Sequence, residues 1–174
     1  MNITKKAIRI MLTLMIAALV LCSCDSKSKM IDCGFGVFMD EETGIKVFSY
    51  EGYSLKRYPH TDSNITLPAE FFGEPIDCTG EQVFMSDQAL ESVIIPDSYT
   101  FLDYCTFGFC NNLKSIYIPA TVTEMWEAAI CSCPNVTVFC EAAEKPEGWH
   151  DRWYAECENI NVVWGCKKEY FPNH

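Results

Sequence analysis

The sequence predicts a short repeat solenoid, and two observations support this fold class. Apolar residues recur at a fixed interval of 23 residues through the middle of the chain, and the segments at both ends depart from the repeat. A unit of this size cannot bury its own apolar face, so successive units stack and atypical segments close the ends. The 174 residues amount to about one domain.

The composition indicates an acidic globular protein. Hydrophobic residues make up 49% of the chain, and 24 Asp and Glu outnumber 13 Lys and Arg, giving a net charge of -11. Three basic residues, Lys5, Lys6 and Arg9, lie before Cys24, so a chain cleaved there keeps 10 basic residues and carries a charge of -14. Such a surface repels phosphate backbones and anionic lipid headgroups, so we expect no nucleic-acid partner.

The first 23 residues are typical of a lipoprotein signal peptide. Their apolar run is shorter than the roughly 20 residues that a membrane-spanning helix needs, and the small residue Ser23 directly precedes Cys24. Cys24 is therefore the candidate for lipid attachment. Cys22 is unusual at its position, and an ordinary signal peptide is the alternative. The prediction is an exported, membrane-anchored lipoprotein at the cell surface that touches the membrane through its lipid only.

Pairs of identical or similar residues spaced 23 apart define the repeat. They are Ile95-Pro96 with Ile118-Pro119, Leu90 with Leu113, Phe84 with Phe107, and Cys110 with Cys133, continued by Val136 and Ile130. An earlier copy ends in Leu67-Pro68, 28 residues before Ile95-Pro96, and its extra length falls in the turn-rich stretch 71–75. The spacing predicts about four stacked units.

Each unit predicts one short strand whose side chains alternate between the core and the outer face. In the unit at 90–95, Leu90, Val93 and Ile95 point inward, so the residues between them point outward. The equivalent outward positions form a ladder across the sheet, namely Thr66, Ile94, Tyr117 and Phe139. We call these four residues the outward ladder.

The outward ladder has two interpretations. It is the partner-binding surface if its apolar side chains are exposed, because exposed apolar patches mark interaction sites. Alternatively, it only stabilises the sheet through cross-strand pairs, or the N-terminal hairpin covers it. Solvent exposure of Tyr117 and Phe139 distinguishes the two interpretations, and flat exposed rings there would also allow stacking on a glycan.

The two ends of the array differ from the repeats. Residues 36–50, with a turn at 42–44, are typical of a β-hairpin cap. Trp149, Trp153 and Trp164 are placed to cover the opposite end of the core. The predicted segments are the signal peptide (1–23), a polar tether (24–33), the N-terminal cap (34–64), the repeats (65–140), a Trp- and Cys-rich C-terminal cap (141–166) and a tail (167–174).

Three segments, 107–113, 113–119 and the Trp- and Cys-containing stretch 138–166, resemble the BspA-type leucine-rich repeat family. The resemblance covers roughly residues 34–166. It implies an α/β-type solenoid, built as a short leucine-rich-repeat array, on the surface of a bacterium. By analogy of fold, it also implies adhesion to proteins of a host or neighbouring cell.

The first unit departs from this pattern. Thr79 and Asp87 stand where the next unit has Leu102 and Cys110. A polar residue at an inward position removes part of the shared core, which predicts a poorly formed first unit.

Signals of catalysis are weak throughout the chain. It has no Gly-x-Ser-x-Gly elbow, no phosphate-binding glycine loop and no His-Glu-x-x-His pattern, and its histidines are His60, His150 and His174. The acidic run 40–42 lacks the ligand alternation of a calcium loop and is typical of a solvated hairpin tip. We expect a protein that is not an enzyme and that needs no cofactor.

The cysteines allow several arrangements. Cys105, Cys110, Cys131 and Cys133 lie in two successive repeat turns, but their spacing does not favour zinc, and buried cysteine packs as a small apolar residue. Equivalent positions one unit apart come within disulfide range, so Cys110 and Cys133 are one possible pair. A metal or redox accessory protein is therefore an alternative to protein binding, although no metal site is predicted.

Overall fold

The computed structural model describes residues 29–49 and 52–172, so the predicted signal peptide and Cys24 lie outside the described residues. The described residues form short strands and one 3-10 turn. In chain order the strands are β1 (Met30–Asp32), β2 (Val37–Asp40), β3 (Lys46–Ser49), β4 (Tyr53–Arg57), β5 (Asn64–Thr66), β6 (Glu70–Phe71), β7 (Glu74–Thr79), β8 (Ser92–Ile94), β9 (Phe101–Leu102), β10 (Phe107–Gly108), β11 (Ser115–Ile118), β12 (Glu124–Met125), β13 (Ile130–Cys131), β14 (Asn135–Cys140), β15 (Gly148–Trp149), β16 (Tyr154–Ala155) and β17 (Asn159–Val163). The turn is η1 (Lys168–Tyr170).

The strands stack as a β-solenoid of about five coils. A five-stranded parallel sheet runs in the order β17-β14-β11-β8-β5, with one strand from each coil. Tyr117 pairs with Ile94 on one side and with Phe139 on the other, so one coil corresponds to 23 residues between β8 and β11. The strand register predicted from the repeat is therefore confirmed.

Two further sheets form the other faces of the solenoid. One has three parallel strands in the order β10-β13-β16, and the other has nine strands. In the nine-stranded sheet, β1 to β4 pair antiparallel and β4 then pairs parallel with β7. Strands β2 and β3 flank the turn where the hairpin was expected. The tether was predicted to reach residue 33, but Met30–Asp32 pair with β2 because this segment offers apolar side chains to the sheet.

The α/β label taken from the resemblance is wrong for the part of the chain that the structure describes. Its only helical element is the 3-10 turn η1. Three successive coils each turn twice through left-handed residues, at Gln82 and Ser86, at Cys105 and Phe109, and at Ala128 and Ser132. A non-glycine residue with positive φ interrupts an α-helix, so the segments between strands form turns instead. Within the described residues, no helix is long and apolar enough to span a membrane.

The core lies between the three sheets and is built from the predicted inward positions. Leu90, Val93 and Ile95 are fully buried, and Phe84 and Phe107 of successive coils stack with ring centroids 5.4 Å apart. Strands β15, β16 and β17 continue all three sheets, so the segment predicted as a cap adds one more coil.

Tryptophans fill the core of that last coil. Trp149 and Trp153 are buried with their ring centroids 5.0 Å apart, and Trp164 packs against Trp149 at 5.7 Å. The indole N–H of Trp149 donates to the carbonyl of Val122 at 2.9 Å, which satisfies its one buried polar group.

Candidate functional site

The outward ladder lies on the outer face of the five-stranded sheet, as its register predicts. Only Thr66 is exposed in this ladder. Ile94 is buried, Tyr117 is 1% exposed, and Phe139 is half-buried. The expectation of an open apolar surface is therefore wrong for Ile94 and Tyr117, and neither ring is available as a flat platform for a sugar.

The cover on this face is the C-terminal tail and not the N-terminal hairpin. Phe171 is 3% exposed and forms a small apolar cluster with Ile94, Tyr117 and Phe139. Its ring meets Tyr117 edge-on at 5.9 Å and Phe139 edge-on at 5.4 Å between centroids. Edge-to-face pairs at these distances are favourable beyond their area burial. The outward ladder is thus an aromatic socket with Phe171 inside it.

A reversal after β17 carries the tail over the sheet. Gly165 has a left-handed φ of 68° and its N–H donates to the carbonyl of Ala142 at 2.8 Å. Cys166 then donates to the carbonyl of Cys140 at 2.9 Å. Glycine adopts this backbone conformation without steric cost, which explains its place at the turn.

Beyond this point the tail is weakly attached. Within the described ranges, the backbone hydrogen bonds of η1 are local, from Tyr170 to Lys167 and from Phe171 to Lys168. No residue of η1 itself is buried. The buried contact between the tail and the sheet is therefore the Phe171 side chain.

Acidic groups border the socket. The Tyr117 hydroxyl donates to the Glu141 carboxylate, and burial, followed by the charges of Glu141 and Asp97, raises the pKa of Tyr117. Glu141 also accepts the backbone N–H of Ala120 at 2.9 Å, which holds its carboxylate beside the ring. The socket thus combines an aromatic interior with a negative edge.

A second aromatic feature remains open on the outer face of the nine-stranded sheet. Trp126 directly follows β12, is 59% exposed, and meets Phe101 at 6.5 Å between ring centroids. Sequence reasoning missed this residue. Alternation along β12 was a usable signal, because Met125 is buried and its neighbours must therefore face outward.

The four clustered cysteines separate into two pairs at different depths. Cys110 and Cys133 are fully buried in the main core, and their thiols donate to the carbonyls of Phe84 and Phe107. Cys105 and Cys131 lie outside the main core, in a small cluster of their own. The structure thus splits the set that a four-cysteine zinc site would need.

Among the residues that the structure describes, His, Cys, Asp and Glu side chains form no group of three that could hold a metal ion. His150 accepts the backbone N–H of Arg152 at 3.1 Å, and His174 lies outside the described residues. In the acidic run, Asp40 accepts the Thr43 hydroxyl at 2.7 Å and thereby closes the hairpin turn.

Comparison with known proteins places this architecture in a family. A search of the curated proteins gave no significant match. Among solved structures, the crystal structure of a leucine rich cell surface protein from Faecalibacterium prausnitzii A2-165 matches with a TM-score of 0.49 and 20% identity over 82% of this chain. The match covers 44% of that cell surface protein, so the present chain spans less than half of the length of that protein.

A family model gives the stronger match. The model described as BspA type leucine rich repeat region matches residues 77–164 in six copies. This range is just over half of the 174-residue chain and begins within β7 and ends just after β17. The chain therefore belongs to the BspA-type leucine-rich repeat family.

Proposed function

We propose that this chain is a non-catalytic, exported lipoprotein, anchored through Cys24, that binds a protein partner with the outer face of its five-stranded sheet. Repeat solenoids commonly use one continuous face for binding, which supports the general role. The binding residues are those of the outward ladder, Thr66, Ile94, Tyr117 and Phe139.

The seating of Phe171 in the socket is the observation that carries this proposal. The tail is an internal occupant whose aromatic side chain fits between Tyr117 and Phe139. A partner that presents an aromatic side chain of its own would replace Phe171 and gain the same contacts. Burial of one such side chain is worth about 1.5–3 kcal/mol, which is small beside the roughly 8–12 kcal/mol of a micromolar to nanomolar complex.

Charge indicates the rest of the partner's chemistry. Asp97 and Glu141 act on Tyr117 at the socket, and the whole chain carries a net charge of -11. The tail itself places Lys167 and Lys168 four and three positions before Phe171. The partner segment therefore carries basic residues near its aromatic anchor, and its association slows at high salt because exposed charges are screened.

Binding of the full exported protein to immobilised extracellular-matrix proteins and mucins tests this function. Phe171→Ala empties the socket and should raise affinity by about ten-fold, because the binding-competent fraction increases. Tyr117→Ser with Phe139→Ser should abolish binding. Trp126→Ala, on another face, is the matched control and should bind as the wild type does. Equal binding by all four proteins would place the partner elsewhere.

A glycan is the second candidate partner, and exposed Trp126 beside Phe101 favours it. An open indole face of this kind stacks on a sugar ring, and Glu124 on the same strand is exposed for hydrogen bonding. In the same assay with immobilised polysaccharides, Trp126→Ala should then lose binding while Phe171→Ala changes nothing. The two sets of variants therefore separate the two candidates.

A further inference from the structure

Two thiols from neighbouring coils meet at the turns before and within the three-stranded sheet. The Sγ atoms of Cys105 and Cys131 lie 3.0 Å apart, although the residues are 26 positions apart in the sequence. A disulfide bond is about 2.05 Å long, so the two sulfurs need to approach each other by only about 1 Å.

The surroundings leave room for both sulfurs. A Cβ atom on Gly108 would lie 3.2 Å from Sγ of Cys131 and 3.5 Å from Cβ of Cys105, so a larger residue would crowd the pair. The rest of the cluster is formed by Ala128 and the half-buried Ala155. The residues that pack around the two sulfurs are therefore small, namely Gly108, Ala128 and Ala155.

The pair differs from the other two cysteines of these coils. Cys110 and Cys133 are fully buried and donate to backbone carbonyls. Cys105 and Cys131 are 5% and 6% exposed, with their Sγ atoms 3.0 Å apart. A reagent can therefore reach the second pair by a small local opening of the turn, whereas the first pair requires opening of the core.

We propose that Cys105 and Cys131 form an oxidation site, at which a reversible disulfide locks two successive coils together. The oxidant is a disulfide-bearing molecule of the extracytoplasmic space. One protein thiolate attacks a sulfur of the oxidant and releases its first thiol, and the second protein thiolate then displaces the remaining half. Two protein S–H bonds and the S–S bond of the oxidant break, and one protein S–S bond forms. The oxidant leaves as two thiols, which carry away the two electrons and two protons.

The environment of the pair moves this reaction to higher pH. Burial, and then the hydrogen bond and charge of the Cys105 thiol, raise the pKa of Cys131. Since the thiolate is the attacking species, formation of the bond accelerates as the pH rises. The bond closes a loop that contains all of β11 and β12, and it constrains the unfolded chain. We expect the Tm to rise by roughly 5–10 °C on oxidation.

The test treats the reduced full-length protein with oxidised glutathione, blocks remaining thiols with N-ethylmaleimide and maps the products by mass spectrometry. Chymotrypsin separates Cys105 from Cys110 because Phe107 and Phe109 lie between them. Cys131 and Cys133 stay on one fragment, with only Ser132 between them. Cys131→Ala and Cys133→Ala are therefore the matched variants.

The proposal predicts a cross-linked fragment and a higher Tm in the wild type and in Cys133→Ala, both reversed by dithiothreitol. Cys131→Ala should show neither. The proposal is overturned if the cross-link persists in Cys131→Ala, or if Cys105 and Cys131 both carry maleimide after oxidation of the folded wild type. If Cys133→Ala fails to fold, fragmentation of the wild-type peptide between Cys131 and Cys133 assigns the bonded sulfur directly.

Discussion

His60 and Asp87 form a short hydrogen bond between the N-terminal part of the chain and the first repeat turn, with Nε2 and Oδ2 2.7 Å apart. The His60 ring packs against both Tyr58 and Phe84, at 6.0 and 6.1 Å between centroids. The second carboxylate oxygen of Asp87 accepts the N–H groups of Ala89 and Leu90 at 2.9 and 3.2 Å. Asp87 thus joins two segments and caps the turn.

Asp87→Ala should destabilise the protein by about 2–4 kcal/mol. The substitution leaves His60 without its partner in a mostly buried place and removes the acceptor of two backbone N–H groups. Urea unfolding measures the change. Glu91→Ala is the control, because the Glu91–Lys114 pair is exposed and should cost less than about 1 kcal/mol. Equal losses in the two variants would contradict this role of Asp87.

Thr79, the other residue that departs from the repeat pattern, also has hydrogen-bond partners. Thr79 and Thr106 are buried with their hydroxyl oxygens 2.7 Å apart. Thr106 donates to the carbonyl of Asp103 at 2.8 Å, and Thr79 accepts the N–H of the same residue at 3.0 Å. The expectation of a poorly formed first unit is wrong, because both departures bring their own hydrogen-bond partners.

Thr79→Val keeps the side-chain shape and should cost about 1–3 kcal/mol, since it leaves the Asp103 N–H and the Thr106 hydroxyl each short of a partner. The matched control is Thr100→Val, which removes a 3.2 Å hydrogen bond to the carbonyl of Asp77 at an exposed position. We expect less than about 0.5 kcal/mol there. Chemical denaturation measures the unfolding midpoint of each variant. Equal shifts of the midpoint in Thr79→Val and Thr100→Val would contradict the role of Thr79.

The coil and its register follow from the sequence because period and alternation are local properties. Leu90, Val93 and Ile95 set the inward face by themselves, and the 23-residue shift to Leu113 places the next strand beside them. The α/β assignment was wrong because it did not rest on period or alternation. It came from the family resemblance, whereas residues such as Cys105 with positive φ give no clear signal in a sequence.

The state of the candidate site depends on contacts that no pattern reveals. The outward ladder was placed on the right face by alternation, but its cover is a single aromatic residue 32 positions beyond Phe139. Such a contact between distant residues leaves no periodic pattern in the sequence. The sulfur pair was missed similarly, because Cys105 and Cys131 are 26 residues apart and do not occupy equivalent positions of the 23-residue unit.

Stability should fall at alkaline pH through buried thiols. Burial, followed by the nearby Cys166, raises the pKa of Cys140 to about 12 from an ordinary 9.0. The folded state therefore retains the proton more tightly than the unfolded state, so this contribution is complete below pH 9 and is lost as pH rises toward 12. At pH 10.5 the loss should be about 2 kcal/mol.

Unfolding in urea under reducing conditions at pH 7.5 and 10.5 measures this loss. Cys140→Ala removes the titrating group and should reduce the difference between the two pH values by about 2 kcal/mol. Cys33→Ala, at an exposed position, should keep the wild-type difference. A Cys140→Ala protein as pH-sensitive as the wild type would show that other groups govern the alkaline transition.

Release of the tail should be measurable without any partner. Trypsin cleaves after Lys167 and Lys168 when the tail leaves the sheet, so the cleavage rate reports the population of the open form. Phe171→Ala removes the buried contact and should raise that rate at least ten-fold, as expected for a loss of about 1.5–3 kcal/mol. Tyr170→Ala is the control because its side chain is 69% exposed, and its rate should match the wild type. Equal cleavage in all three proteins would mean that Phe171 does not hold the tail on the sheet.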